Sequence, residues 1–381
     1  MKQAVNIARI LVGILFIFSG LVKAIDPLGL AYKMQEFFDV WAAGGIMKGM
    51  MLRLNDQALL FSIVMITLEV VLGVALLLGW RTKMVSWLLL LLMLLFTFLT
   101  SYVLFSGKIR ACGCFGDCIP LTPVQTFTKD IVLLLLVLLI LAGRKYIKPV
   151  FSNAANTIIF LLALSGVLAL QWYVLKHLPV KDCLPFKTGN NILELRKMPK
   201  DAVPDKFDYT FIYKKNGQSK SFAVSALPDS SWEFVDRKQV LVEKGKNNVP
   251  LINDFILKTE SGNDTTEAVL GQPGEYYLLV AKDFNDRSVD WYKDFKEFYT
   301  NNQYPVFLVT ADPKTAKEIF SIPGQYKLTI LTCDVTALKT AARVNPTLFL
   351  MEGPTIKAKK SWADSKDIRK FNIKEPSLKQ L

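Results

Sequence analysis

Five apolar runs constrain this chain more than any other feature: Val5–Val22, Ala58–Leu78, Met84–Phe105, Phe127–Ala142 and Thr157–Leu175. A helix needs about 20 apolar residues to cross a bilayer core. Most of the runs have that length, and the fourth reaches it by borrowing Thr126 or Gly143. The pattern predicts a membrane bundle of four helices plus a fifth. Residues 179–381 read instead as a charged soluble part. The first run is expected to be retained rather than cleaved as a leader. It contains Arg9, has no small-residue cleavage site and is followed at once by Lys23 and Asp26.

Short loops predict the orientation. The turn Gly79-Trp80-Arg81-Thr82-Lys83 and the turn holding Arg144, Lys145 and Lys148 are basic without acids, so they should face the cytoplasm. Five crossings then put the N-terminus inside and the soluble part outside, as in a bacterial inner membrane protein with a periplasmic C-terminal domain. The segment 23–56 should lie on the outer surface as an amphipathic helix, with Phe37, Phe38 and Trp41 among its polar residues. The net charge of +13 does not point to nucleic acid, because no basic stripe with interleaved aromatics occurs. Attraction to membrane lipid and solubility account for it.

All five cysteines, Cys112, Cys114, Cys118, Cys183 and Cys333, fall on the outer side in this topology, where disulfides persist. Three of them crowd into Cys112-Gly113-Cys114-Phe115-Gly116-Asp117-Cys118, directly after the third run. Gly113 and Gly116 allow tight bends with positive φ, and Lys108 and Arg110 favour thiolate, the reactive form. Three chemistries fit. Cys112 and Cys114 can form a redox-active pair, with Cys118 and Cys183 as resolving or structural cysteines. The disulfides can instead be purely structural, for instance Cys118 to Cys183. Cys112, Cys114, Cys118 and Cys183 could also bind a metal as thiolates, but the paired Cys-x2-Cys knuckles are missing. The only histidine, His177, is expected as a polar residue at the end of the fifth helix. No metal is expected.

The string Arg110-Ala111-Cys112-Gly113-Cys114-Phe115-Gly116 resembles the signature of the methylamine-utilisation MauE membrane proteins, within the wider DoxX-like group. Gly13 to Lys23, with Phe16, Ser19-Gly20 and Lys23, resembles that group's first helix, and Glu69, Gly73 and Gly79 resemble its second. The resemblance covers about residues 1–145. It implies a four-helix bundle engaged in redox and disulfide chemistry, such as the maturation of disulfide-rich proteins.

Arg9 and Glu69 lie inside apolar runs, where charges are costly and are usually paired or turned to a cavity. An Arg9–Glu69 ion pair is expected. A quinone or proton site lined by Glu69 is the functional alternative. Lys129 and Asp130 mark the start of the fourth run. No haem ligand pair, phosphate loop or H-E-x-x-H occurs.

In the soluble half, residues 181–270 read as a β-rich connector with a hairpin turning at Asn216-Gly217. From 271 the order is a buried strand at Glu275–Ala281, a helix at Ser288–Tyr299, a strand at Val306–Thr310 and a helix at Pro313–Phe320. A strand at Leu328–Thr332 and a helix at Val335–Arg343 follow, then strands at Thr347–Met351 and Thr355–Lys360. This order resembles thioredoxin, with Pro346 at its cis-proline position. The stretch 283–290, where that family carries Cys-x-x-Cys, has no cysteine. The expected organisation is therefore a four-helix membrane domain over 1–145, a fifth helix within 146–180, the connector at 181–270, and a thioredoxin-like domain lacking Cys-x-x-Cys over 271–381. The implied function is disulfide exchange with an extracytoplasmic protein or thioredoxin-like partner, with a lipid quinone as electron sink. The rival is a membrane-anchored scaffold with structural disulfides. A transporter fits less well, since paired repeats and broken helices are not seen.

Overall fold

The computed structural model describes residues 1–45, 47–109, 113, 116–243, 245–284, 291–302, 304–320 and 328–370. The N-terminal half is helical: α1 (Lys2–Ala24), α2 (Pro27–Ala43), α3 (Lys48–Asp56), α4 (Ala58–Leu78), α5 (Thr82–Ser106), α6 (Pro123–Ala142) and α7 (Asn153–Lys176). Of these, α1, α4, α5, α6 and α7 are long and apolar enough to cross a membrane. The fourth apolar run gains its missing length at its start. Thr122 caps α6 in a capping box with Gln125, and Pro123 occupies the first turn. These residues are polar or helix-neutral, so hydropathy alone overlooks them.

Glycines set the closest helix contact. A Cβ at Gly73 in α4 would lie 2.8 Å from Ile17 Cγ1 and 2.9 Å from the Gly13 carbonyl oxygen. A Cβ at Gly13 or Gly20 would likewise meet Leu77 or Val70. Small residues let two helix backbones approach where no hydrophobic driving force from water exists. α2 does not span. Asp26 caps it by accepting from the Gly29 N–H, Pro27 opens its first turn, and it buries Ala31, Met34 and Phe38 in the same core as α4 and α5.

The C-terminal half starts with the single turn α8 (Ile192–Leu195). The strands β1 (Lys206–Lys215), β2 (Gln218–Ala223) and β3 (Glu233–Glu243) then form an antiparallel sheet in the order β2-β1-β3. Asn216 and Gly217 turn with φ of 51° and 84°, as a two-residue hairpin requires. Among the described residues of 181–270, the strands are those of this sheet, with isolated bridges at Asn191, Val203–Lys246 and Lys258–Asp264 besides. The flanking residues Phe186, Ile192, Ile252, Phe255 and Leu257 join the core of the following α/β unit.

That unit comprises α9 (Thr266–Leu270), β4 (Glu275–Ala281), α10 (Trp291–Asn301), β5 (Val306–Thr310), α11 (Pro313–Phe320), β6 (Thr329–Thr332), α12 (Val335–Ala341), β7 (Thr347–Glu352), β8 (Thr355–Ser361) and α13 (Lys366–Lys370). The sheet order is β6-β5-β4-β7-β8. β4 runs parallel to β5 and β5 to β6, while β7 is antiparallel to both β4 and β8. β4 is central and buried on both faces. Tyr276, Leu278 and Val280 enter one apolar layer with Phe349 and Leu338. Tyr277, Leu279 and Ala281 enter the other with Phe295 and Trp362, as the two-residue period of a strand dictates. The Asn345–Pro346 peptide before β7 is cis.

The α1–α4 contact yields a stability prediction. Gly73→Val forces a branched side chain into a backbone contact and should destabilise the bundle by about 1–3 kcal/mol, the range for overpacking. Gly166→Val on α7, where an added Cβ meets nothing within 4 Å, should be neutral. Thermal unfolding of the two variants in the same detergent checks this.

Candidate functional site

The loop between α5 and α6 is fastened at both ends. At its start Ile109 is buried with Phe37, Leu99 and Val103. Within it, Gly113 and Gly116 have φ of 71° and 60°, and the Gly116 N–H donates to the Gly113 carbonyl at 2.9 Å. An added Cβ at Gly113 would lie 3.3 Å from Lys33 Cγ, so this part of the loop rests on α2. The loop's far side is held by the C-terminal half. Cys118 is bonded to Cys183, with Cα atoms 5.0 Å apart. Its neighbour Asp117 accepts from Arg343 Nη2 at 2.5 Å.

Arg343 organises the junction. Its Nε donates to Asp26 at 2.8 Å, its Nη1 donates to the Lys339 carbonyl at 2.8 Å, and it lies 5.4 Å over the Tyr32 ring. Its side chain is only 7% exposed. A guanidinium suits this task because its rigid fork serves two carboxylates at once. The expected helix over Val335–Arg343 ends at Ala341, and Ala342 takes an extended conformation. Arg343 is thereby freed from the helix to reach the bundle. Asp26 serves two elements, since its other carboxylate oxygen caps α2.

Further polar ties follow. Lys282 Nζ donates to the Tyr32 hydroxyl and to the Arg343 carbonyl, each at 2.9 Å. Burial pushes the Lys282 ammonium down to about 8 against some opposition from Asp283, and pushes the Tyr32 hydroxyl up to about 12. Lys339 Nζ donates to Gln35 at 2.9 Å. Beside the disulfide, Lys359 in β8 donates to Asp182 at 2.7 Å. His177 Nδ1 lies 2.8 Å from Asp364, and its ring stacks on Tyr173 at 4.4 Å. A cleft of ≈ 400 Å³ opens between α2 and α12, with Asp117, Arg343 and Leu184 in its walls.

The buried charges are arranged differently from expectation. Glu69 pairs with Lys23, both nearly inaccessible, and Arg9 Nη2 donates to the Leu77 carbonyl at 2.8 Å. An Arg9–Glu69 pair is ruled out by register. α1 and α4 run antiparallel, with Gly20 beside Glu69 and Val70, and Gly13 beside Leu77. Arg9 is thus roughly 16 Å along the helix from the level of Glu69, at about 1.5 Å per residue. Asp130 is buried on α6; it pairs with Lys129 at 2.9 Å, and its Oδ2 has no hydrogen-bond partner among the described residues. Asp130 and Glu69 line one narrow cavity.

Of the sequence-predicted site residues, Cys112 and Cys114 lie outside the described residues, as does 285–290 of the stretch expected to replace Cys-x-x-Cys. Cys118 and Cys183 are bonded to each other and so are not available as the thiolate ligands considered for a metal. Among the described residues no three acidic, histidine or cysteine side chains come together as a metal site. Cys333 is buried in the sheet's apolar layer, its thiol pushed up to about 12 by burial, the opposite of a reactive cysteine. Sequence reasoning missed Arg343, Asp117, Tyr32 and Lys282 as partners. The one available signal was Asp26-Pro27, a helix-start pair.

Against known proteins, residues 1–143 match the family model described as methylamine utilisation protein MauE. Residues 207–244 match a model described as a domain of unknown function, DUF8463, and this span coincides with the sheet β1–β3. No curated protein and no solved structure matches the chain. The N-terminal part is thus MauE-like, a multi-pass membrane unit that ends with α6.

Two outcomes are expected at the junction. Arg343→Ala leaves the partly buried Asp26 and the largely exposed Asp117 without their cation and should weaken docking by about 1–3 kcal/mol, less than breaking a fully buried pair would cost. Hydrogen exchange over 27–43 and 116–122 should then accelerate. Lys282 gives a pH signature. Between pH 8 and 10.5 an exposed lysine keeps the proton that buried Lys282 has lost, so folding stability rises with pH in that window. The difference in thermal midpoint between wild type and Lys282→Met should shift in favour of wild type from pH 8 to pH 10.

Proposed function

We propose that this chain is a membrane thiol–disulfide exchange protein. It supports the maturation of extracytoplasmic proteins through Cys112 and Cys114, and its two electrons pass to a lipid quinone. The observation that carries this reading is the double fastening just beyond the Cys-Gly-Cys string. Asp117 and Cys118 are held by Arg343 and Cys183, which steadies the loop without consuming Cys112 or Cys114. A half-exposed loop with glycine bends at 113 and 116 suits a sulfur that must be approached in line by another.

The match of residues 1–143 to a family named for methylamine utilisation supports a maturation role of this kind. Methylamine itself is not part of the proposal. The basic turns at 81–83 and 144–148 support a cytoplasmic N-terminus and a periplasmic soluble half in a bacterial inner membrane. The sheet order β6-β5-β4-β7-β8 supports a thioredoxin-like reading of residues 271–381, with Pro346 in that family's proline position. The segment leading to Pro346 is turned to the bundle through Arg343. In this reading the soluble domain therefore guides an extracytoplasmic or thioredoxin-like partner to the loop of its own chain. It does no thiol chemistry, since Cys333 is buried.

The Cys118–Cys183 bond equally favours a second reading, a scaffold whose disulfides only stabilise. Substitution separates the two. Cys112→Ser and Cys114→Ser should each abolish exchange in cells while the bundle stays inserted and folded, and one of them should accumulate mixed disulfides with partner proteins. Full function of the double variant would end the exchange reading. A variant that merely loses about 2–5 kcal/mol of stability, the usual cost of a missing disulfide, would favour the scaffold.

A further inference from the structure

The antiparallel sheet β2-β1-β3 has two unlike faces. Directly opposed residues on neighbouring strands point to the same side, so the register assigns each side chain to a face. Tyr209, Phe211 and Tyr213 of β1 lie on one side. Phe222 of β2 opposes Phe211, and Phe234 of β3 opposes Tyr213. The rings pack edge to face. Tyr213 lies 5.8 Å from Phe222 and 5.7 Å from Phe234, and Trp232 lies 5.1 Å from Phe222. Among the described residues, no side chain of these three strands is buried, and Phe234 is 54% exposed. A contiguous exposed patch of this kind marks a binding surface.

Charge divides between the faces in the same way. Lys220 opposes Tyr213 and Arg237 opposes Phe211, so both share the aromatic side with Lys215. Each cation sits over a ring: Lys215 over Trp232 at 5.8 Å, Lys220 over Phe222 at 5.7 Å and Arg237 over Tyr209 at 5.3 Å. These contacts hold the charges on the face instead of at its rim. The acids of the strands lie on the other side. Asp208 opposes Val240, Asp236 opposes Ile212, Glu233 opposes Lys214 and Glu243 opposes Lys206. In the loop before β3, Asp229 accepts from the Ser231 N–H at 2.9 Å, and Lys215 donates to the hydroxyl of the same serine. The aromatic face is therefore cationic on balance.

A second copy of the chain is a poor occupant, because two such faces packed together would oppose like charges with no strand carboxylate between them. A layer of lipid phosphates fits better. Tyr and Trp settle at membrane interfaces with their rings at headgroup level, and Lys and Arg are drawn to anionic headgroups. The chain is itself anchored close by, since the membrane-length helix α7 ends at Lys176 and β1 starts at Lys206. The sheet thus meets headgroups at high effective concentration, and a modest affinity suffices. Val203 and Lys246 exchange both backbone hydrogen bonds, at 2.7 and 3.0 Å, which closes the stem of the sheet. We infer that the aromatic face of β1–β3 binds the anionic phospholipid surface of the chain's own membrane. It gives the C-terminal half a third attachment beside Arg343 and the Cys118–Cys183 bond, and it needs no cysteine chemistry.

The test uses the full chain in nanodiscs, with the photo-crosslinker p-benzoylphenylalanine replacing either Phe234 or Val240. Val240 is 63% exposed and lies on the opposite face. One set of discs holds phosphatidylcholine with phosphatidylglycerol, the other phosphatidylcholine alone. Irradiation should attach phospholipid at 234 and not at 240, and only in the anionic discs, as read by mass spectrometry. Lys215→Gln, Lys220→Gln and Arg237→Gln combined should lower the yield about tenfold or more, the loss of three headgroup contacts, and high salt should act likewise. Hydrogen exchange over 207–241 in the unsubstituted chain gives a second readout and should slow when phosphatidylglycerol is present. Equal attachment at both positions, attachment indifferent to anionic lipid, attachment at neither position, or an unchanged exchange rate would overturn the proposal. So would a link from 234 to a second copy of the chain in the discs, or to another protein in place of lipid when the probe is irradiated in living cells.

Discussion

One guanidinium sets the relation between the two halves of this molecule. Arg343 reaches from the soluble sheet to Asp26 at the start of α2 and to Asp117 in the cysteine loop. Each contact fixes something else. Asp26 caps α2, so the helix that covers the bundle and the domain that sits on it share one carboxylate. Asp117 adjoins Cys118, so the ionic contact and the disulfide act on neighbouring residues. Gly29 must stay small, because a Cβ there would come within 2.8 Å of Asp26 and 3.4 Å of Arg343. Lys282 and Tyr32 complete the packing around the same charge. A buried pair of this type adds little net stability over a well-packed apolar contact, yet it specifies one docking geometry.

The bundle end and the soluble domain therefore form one chemical neighbourhood. The loop is supported from below by α2, through Lys33 and Gly113, and from above by Arg343 and Cys183. Buried charge continues down into the helices. Lys23 and Glu69 neutralise each other between α1 and α4, as charges at membrane depth must, and Asp130 lies on the same cavity. In the proposed chemistry a protein partner approaches the loop from the cleft between α2 and α12.

Elements governed by local pattern were legible in the sequence. The five apolar helices follow from continuous hydropathy, the β1–β2 hairpin from Asn216-Gly217, and the strands β4 and β5 from their apolar runs. α11 falls on its expected residues, Pro313–Phe320. Features that depend on register were not. Arg9 and Lys23 are both basic residues of α1, and only the antiparallel alignment of α1 with α4 decides which one meets Glu69. The contacts of Arg343 span 226 and 317 residues of sequence, and no periodicity connects such distant positions. The region 181–270 divides for a similar reason. Its exposed sheet and the core residues Phe186 and Phe255 have similar composition, and only the tertiary fold separates them. Cys118 and Cys183 came into view as one pairing among several because topology placed both at one end of the bundle.

In the proposed function Cys118–Cys183 is a fixed staple and Cys112 and Cys114 are the working pair. Disulfide mapping by mass spectrometry on protein alkylated while still in its membrane tests both assignments at once. A Cys118–Cys183 linkage is expected in essentially every molecule. Cys112 and Cys114 are expected to divide between a joined pair, free thiols and linkages to other proteins, with Cys333 alkylated only after denaturation. Cys112 or Cys114 permanently bonded to Cys118 or Cys183 would overturn these assignments.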